Sequence, residues 1–96
     1  MKPVILRPDA AADVEQAYRW YDAQRGGLGH EFMDAVAASL ALIKDQPEAA
    51  LVVRRRTRRV LVSRFPYGIF YRVYDDQVVV VACMSVRRDP SHWRRR

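Results

Sequence analysis

The alternation of apolar and polar positions over residues 59–84 predicts a three-stranded antiparallel meander. The first run (RVLVSRF) alternates with a period of two, as a strand with two unlike faces does. The second (IFYRVY) is aromatic and β-branched, and the third (QVVVVACM) is apolar at nearly every position, which indicates a central strand or one covered by a helix. The predicted strands are 59–65, 69–74 and 77–84, with turns at Pro66-Tyr67-Gly68 and Asp75-Asp76.

In the first half of the chain, apolar residues recur every three to four positions, which predicts two helices. The first spans 9–25 with Asp9 as its N-cap, and Gly26-Gly27 ends it in a left-handed cap. The second spans 28–46 and stops before Pro47. Two helices joined by two glycines must form an antiparallel hairpin.

The remaining segments are short. Residues 2–7 are apolar and predict a strand at the edge of the sheet. Residues 54–59 contain five arginines in six positions, so we expect 48–58 to form a loop or frayed strand. The prediction is one α+β domain over 1–96, in which the short strand and the helical hairpin pack on a three- to four-stranded antiparallel sheet, followed by a basic tail at 85–96.

Charge is distributed unevenly along the chain. Residues 1–50 hold eight acids and five bases, whereas residues 51–96 hold three acids and twelve bases, all arginine. This asymmetry indicates either an anionic partner, which arginine binds well, or a solvated sheet face that keeps the protein soluble. The lone Cys83 lies in the most apolar strand and is expected to pack in the core, and no metal site or cofactor is predicted. Since no signal peptide or membrane span is apparent, we expect a cytoplasmic protein.

Taken in order, several short motifs resemble the RelE/ParE superfamily of bacterial type II toxins, and most closely its ParE branch. They are Asp13…Ala17…Trp20-Tyr21, Gly27-Leu28-Gly29-x-x-Phe32, Pro47, Phe65-Pro66-Tyr67-x-Ile69-x-Tyr71, and Arg87-Arg88-x-Pro90-x-x-Trp93-x-x-Arg96. The resemblance implies a helical hairpin on one face of an antiparallel sheet, and a cognate antitoxin that wraps the toxin. It also implies contact with operator DNA only through the antitoxin complex.

Two activities are known in that superfamily: poisoning of DNA gyrase and ribosome-dependent cleavage of messenger RNA. A nuclease needs cations around the scissile phosphate and a group that moves a proton. The cations would be Arg64, Arg72 and Arg87, and the proton carrier His92, although a histidine in a charged tail is more often an exposed bystander. Trp93 occupies the region where such nucleases place a tyrosine, and it cannot carry a proton.

Gyrase inhibition requires only binding, and an Arg-rich tail with a tryptophan suits it. The residues predicted to bind the target are Arg87, Arg88, Trp93, Arg94, Arg95 and Arg96. Those predicted to bind the antitoxin are Trp20, Tyr21, Arg64 and Arg72. Each tryptophan has an alternative to a role in binding: Trp20 packs at the flank of its helix, or Trp93 caps the end of the sheet. A third possibility is a non-toxic partner in a DNA-binding autoregulatory complex.

Overall fold

The computed structural model describes residues 1–87, which form two helices on one face of a five-stranded sheet. In chain order the elements are β1 (Val4–Leu6), α1 (Pro8–Gln24), α2 (Leu28–Asp45), β2 (Leu51–Arg54), β3 (Thr57–Leu61), β4 (Tyr67–Val73) and β5 (Val78–Ser85). The strand order across the sheet is β1-β5-β4-β3-β2. Neither helix in this part of the chain is long and apolar enough to cross a membrane.

The sheet differs from the prediction of three to four antiparallel strands, because it has five strands and one parallel pair. The observed sheet has the following pairing at its first strand. It is mixed, because β1 runs parallel to β5, with Val4 opposite Val78 and Leu6 opposite Val80. The pairing joins strands more than seventy residues apart and leaves no local signal in the sequence. The predicted short N-terminal strand itself is present, at one edge of the sheet.

The fifth strand is β2, in the segment expected to be a loop or frayed strand. It pairs with β3 in an antiparallel hairpin whose turn is Arg55-Arg56. Dense like charge does not prevent strand formation here, because β2 is the outer edge of the sheet and Arg54, Arg55 and Arg56 all reach solvent. As a result β3 begins at Thr57, two residues before the predicted start.

Both predicted helices are present, but their ends are organised differently from the prediction. The N-cap of α1 is Arg7 and not Asp9, and Pro8 is in the first turn. Asp9 also lies in the first turn, where its negative charge interacts favourably with the helix dipole. Gly27, with φ 92°, immediately precedes α2. The carboxylate of Asp22 caps α2 from outside: its Oδ1 accepts hydrogen bonds from the backbone N–H groups of Gly27 at 3.0 Å and Gly29 at 3.2 Å.

The core is built around β5, which lies between β1 and β4 and buries every residue from 78 to 84. Its helix-facing side chains pack with those of α1 and α2, among them Val14, Phe32 and Val36. On the opposite face, Val81 and Ala82 pack with Phe70. A bulge between β4 and β5 places these two consecutive residues on one face. β5 thus contributes side chains to both core clusters.

Candidate functional site

A cleft of about 540 Å³ opens between α1 and the end of β5. Because β1 ends opposite Val80, the rest of β5 has no strand neighbour on that side within residues 1–87. Helix α1 covers this edge, and Asp13 Oδ2 accepts a hydrogen bond from the backbone N–H of Cys83 at 3.0 Å. The lining residues are Asp13, Gln16, Ala17, Trp20, Tyr21, Pro66, Tyr67, Cys83, Met84, Ser85 and Arg87.

An aromatic cluster forms one end of the cleft. The ring centroid of Tyr21 lies 4.9 Å from that of Phe65 and 5.9 Å from that of Tyr67, and Phe32 packs behind it at 5.2 Å. Trp20 meets the edge of Tyr21 at 5.1 Å, yet 57% of its surface remains exposed. Trp20 thus packs at the helix flank and still presents a large apolar surface at the cleft.

The cleft combines this surface with polar groups. Burial raises the pKa of the Tyr21 hydroxyl, and Tyr67 raises that pKa further, whereas the nearby Arg87 opposes the shift. Tyr21 therefore stays a neutral hydrogen-bond donor at neutral pH, close to the Arg87 guanidinium. A phenol donor and a guanidinium can together bind a carboxylate or a phosphate oxygen.

The thiol in the cleft wall is not an activated nucleophile. Burial raises the pKa of Cys83 to about 12, and the carboxylate of Asp13 adds to the shift. At neutral pH the thiol is protonated, and a protonated thiol is a poor nucleophile. Cys83 is therefore not suited to nucleophilic catalysis in this cleft.

Two of the predicted site residues lie outside the cleft. Arg64, at φ 70°, occupies the β3–β4 turn, with its Nη2 3.7 Å from Glu31 Oε1. Arg25 binds the same carboxylate at 2.8 Å, and this hydrogen bond lowers the pKa of Glu31. Arg72 lies on the helix-free face of the sheet, where its Nε donates to Thr57 Oγ1 at 3.0 Å.

The structure thus brings together Trp20, Tyr21 and Arg87 and leaves Arg64 and Arg72 apart from them. The other predicted residues, Arg88, His92, Trp93, Arg94, Arg95 and Arg96, lie outside the described residues.

Sequence reasoning did not assign Gln16 or Tyr67 to a site. Tyr67 was predicted to lie in a turn, but it is the first residue of β4, because the chain turns earlier, between Leu61 and Tyr67. A signal for part of the cleft is present in the sequence. Asp13, Gln16 and Trp20 recur every three to four positions and therefore share one face of α1.

Comparison with known proteins agrees with this architecture. The family described as "ParE toxin of type II toxin-antitoxin system, parDE" matches residues 4–90. A solved structure, "Chromosomal ParDE TA system from P. aeruginosa", has a similar fold, with a TM-score of 0.69 and 18% identity over 91% of this chain and 98% of that one. A search of curated protein sequences found no match. Because the family match covers most of the chain, the resemblance to the ParE branch is confirmed, and the chain belongs to the family of ParE toxins of type II toxin–antitoxin systems.

Proposed function

We propose that this ParE toxin inhibits DNA gyrase by binding it and thereby blocks replication. The observation that carries the proposal is the separation of the three arginines that a nuclease would need. Arg87 lines the cleft, Arg64 is next to Glu31, and Arg72 is hydrogen-bonded on the opposite face of the sheet. Cleavage of RNA requires cations gathered around one phosphate, whereas a binding toxin needs no such convergence.

The proposed target-binding surface starts at Arg87 and continues into the basic tail. Arg87 is exposed and stands at the rim of the cleft beside Tyr21. Arginine and tryptophan contribute strongly to protein–protein interfaces, because they combine hydrogen bonding with a large contact area. This composition supports binding of a large protein–DNA complex.

We further propose that the cognate antitoxin occupies the cleft. An apolar side chain would cover Trp20, and an acidic one would accept hydrogen bonds from Arg87 and Tyr21. Since Arg87 belongs to both proposed surfaces, an antitoxin bound in the cleft would cover the start of the target-binding surface. Arg64 and Arg72 lie outside the cleft, and a segment that reached Arg72 as well would have to pass around the sheet. Contact with operator DNA is proposed for the toxin–antitoxin complex.

Pulse-labelling after induction of the toxin alone tests the target. Thymidine incorporation is expected to fall before amino-acid incorporation, and purified toxin is expected to inhibit supercoiling by gyrase. Arg87→Ala should weaken that inhibition, whereas Arg19→Ala, which removes an exposed arginine on α1, should not. An earlier loss of amino-acid incorporation would contradict the proposal and favour cleavage of messenger RNA on the ribosome.

Affinity for the antitoxin tests the cleft. Trp20→Ala should weaken binding by at least roughly tenfold, as expected for a large aromatic anchor at an interface. Met33→Ala is the matched control, because Met33 is 39% exposed on α2 and lies outside this cleft. Equal affinity of the Trp20 variant and the wild type would place the antitoxin elsewhere.

A further inference from the structure

The tip of the β2–β3 hairpin concentrates positive charge at one end of the sheet. The hairpin turns at Arg55-Arg56, between the paired residues Arg54 and Thr57. Five of the six residues 54–59 are arginine, and residues 49–74 contain seven arginines and no acid. The acids that flank this stretch in the sequence are Glu48, before β2, and Asp75 and Asp76, in the β4–β5 turn.

The conformation of the tip is unfavourable for the residues that form it. Arg55 has φ 51°, in the left-handed region that glycine or asparagine adopts more readily. Its neighbours in the chain carry the same charge, and like charges repel. Within residues 1–87, the side chains of Arg54 and Arg55 make no hydrogen bond or ion pair, although the backbone of Arg54 pairs with Thr57 in the hairpin. The left-handed conformation of Arg55 and the repulsion between neighbouring arginines are therefore not offset by side-chain contacts of Arg54 or Arg55 within this part of the chain.

Two other arginines of the hairpin, one in the turn and one in β3, contact neighbouring segments. Arg56 Nη2 donates to the carbonyl oxygen of Val73 at 3.3 Å, and the Arg56 guanidinium lies 4.6 Å from the ring centroid of Tyr74. Arg58 Nη1 donates to the carbonyl oxygens of Glu48 and Ala50, at 2.9 and 2.8 Å. Two arginines thus fix the hairpin to its surroundings, and the two arginines without partners extend from a rigid support.

We propose that this hairpin binds the phosphate backbone of duplex DNA directly and without sequence preference. The planar guanidinium matches phosphate oxygens through paired hydrogen bonds. A two-stranded β-ribbon fits the major groove, where phosphates line both walls. Arg54 is the last residue of β2 and Arg55 the first residue of the turn, so two exposed guanidinium groups are available to phosphates at the end of the ribbon.

Two other occupants fit the hairpin less well. A second copy of the chain would bring two arginine-rich tips together, at an electrostatic cost. An acidic protein segment could pair with the free edge of β2, beside the exposed Leu51 and Val52. Such a segment would bind along the four-residue strand, whereas the strain and the free charge are at the tip.

The proposal goes beyond gyrase inhibition and does not rest on it, since the test uses the purified full-length toxin and DNA alone. Fluorescence anisotropy with a short labelled duplex of arbitrary sequence gives the dissociation constant at several salt concentrations. The informative variant is Arg55→Gly, because glycine suits the left-handed conformation and the variant should unfold at no lower a temperature than the wild type.

Arg55→Gly should weaken DNA binding roughly fivefold to tenfold at about 0.1 M salt, and reduce the slope of log K against log salt by about 0.9, the value for one lost phosphate contact. Arg19→Ala removes the same charge from an exposed site on α1 and is expected to change affinity less than about twofold.

Equal losses for the two variants would overturn the proposal, because net charge alone would then explain binding. Absence of measurable binding by the wild type would overturn it as well. A third result would also overturn it: poly-glutamate displaces the DNA, and Arg55→Gly weakens the binding of poly-glutamate as much as the binding of DNA. The preferred ligand would then be an acidic protein segment.

Discussion

Replacing Gly29 by alanine tests a close contact between the two helices. A Cβ atom at position 29 would lie 2.8 Å from Cδ1, Cε1 and the backbone oxygen of Tyr18. The ring could rotate away, but the carbonyl oxygen is part of α1 and can move only with that helix. We therefore expect α1 and α2 to be forced apart at this point.

The expected cost follows from two opposing effects. Overpacking of this kind destabilises a protein by about 1–3 kcal/mol. Alanine is also the better helix former, which returns up to about 1 kcal/mol. The net loss of unfolding free energy should therefore be about 1–2 kcal/mol, or roughly 4–15 °C in melting temperature for a domain of this size.

Urea denaturation followed by circular dichroism measures this loss, as a lower midpoint with an unchanged slope. Gly26→Ala is the matched control, because a Cβ atom there would meet nothing within 4 Å. That variant should stay within about 0.5 kcal/mol of the wild type. If Gly29→Ala proved as stable as Gly26→Ala, the close approach of Tyr18 to α2 would be refuted.

Two further predictions concern the contact between α1 and β5. Asp13→Ala removes the acceptor of the Cys83 N–H group and should lower the unfolding free energy, measured by urea denaturation, by about 1–2 kcal/mol. Asp13→Asn keeps an acceptor oxygen and should lose much less. An equal loss in both variants would show that the hydrogen bond is not the cause. The Cys83 thiol has a folded-state pKa raised to about 12, so its contribution to stability is complete below its unfolded pKa and is lost as the pH rises toward 12. Between about pH 9 and pH 11 the wild type should lose about 1.4 kcal/mol per pH unit more than Cys83→Ala does, and parallel stability curves would contradict the shift.

Local patterns in the sequence predict what depends on neighbouring residues. The two helices follow from apolar spacing, and β4 and β5 follow from their aromatic and β-branched runs. The parallel pairing of β1 with β5 could not be predicted this way, because it depends on a contact between distant segments. For β2, the pattern was misinterpreted: a run of arginines resembles a loop unless the strand is known to lie at an edge.

The candidate site likewise has a part that the sequence predicts and a part that depends on contacts between distant segments. Trp20 and Tyr21 are adjacent on α1, and the structure places Arg87 beside them. Asp22 accepts a hydrogen bond at the start of α2, and Asp13 accepts one from β5. Both are contacts between elements, which residue spacing does not predict. Arg72 was grouped with the cleft residues because strand alternation does not reveal which face the helices cover.

The position of β5 also bears on when this toxin becomes a folded protein during synthesis. β5 is the last strand of the described chain, yet it separates β1 from β4 and supplies the centre of the core. A nascent chain that lacks it has a helical hairpin without the strand it packs on, and a first strand without its partner. Since residues emerge from the ribosome at about 5–20 per second and long-range pairs form slowly, this domain can reach its native structure only after β5 has emerged. Because Cys83, Met84 and Ser85 of β5 also line the cleft, the site proposed for the antitoxin is complete only from that moment.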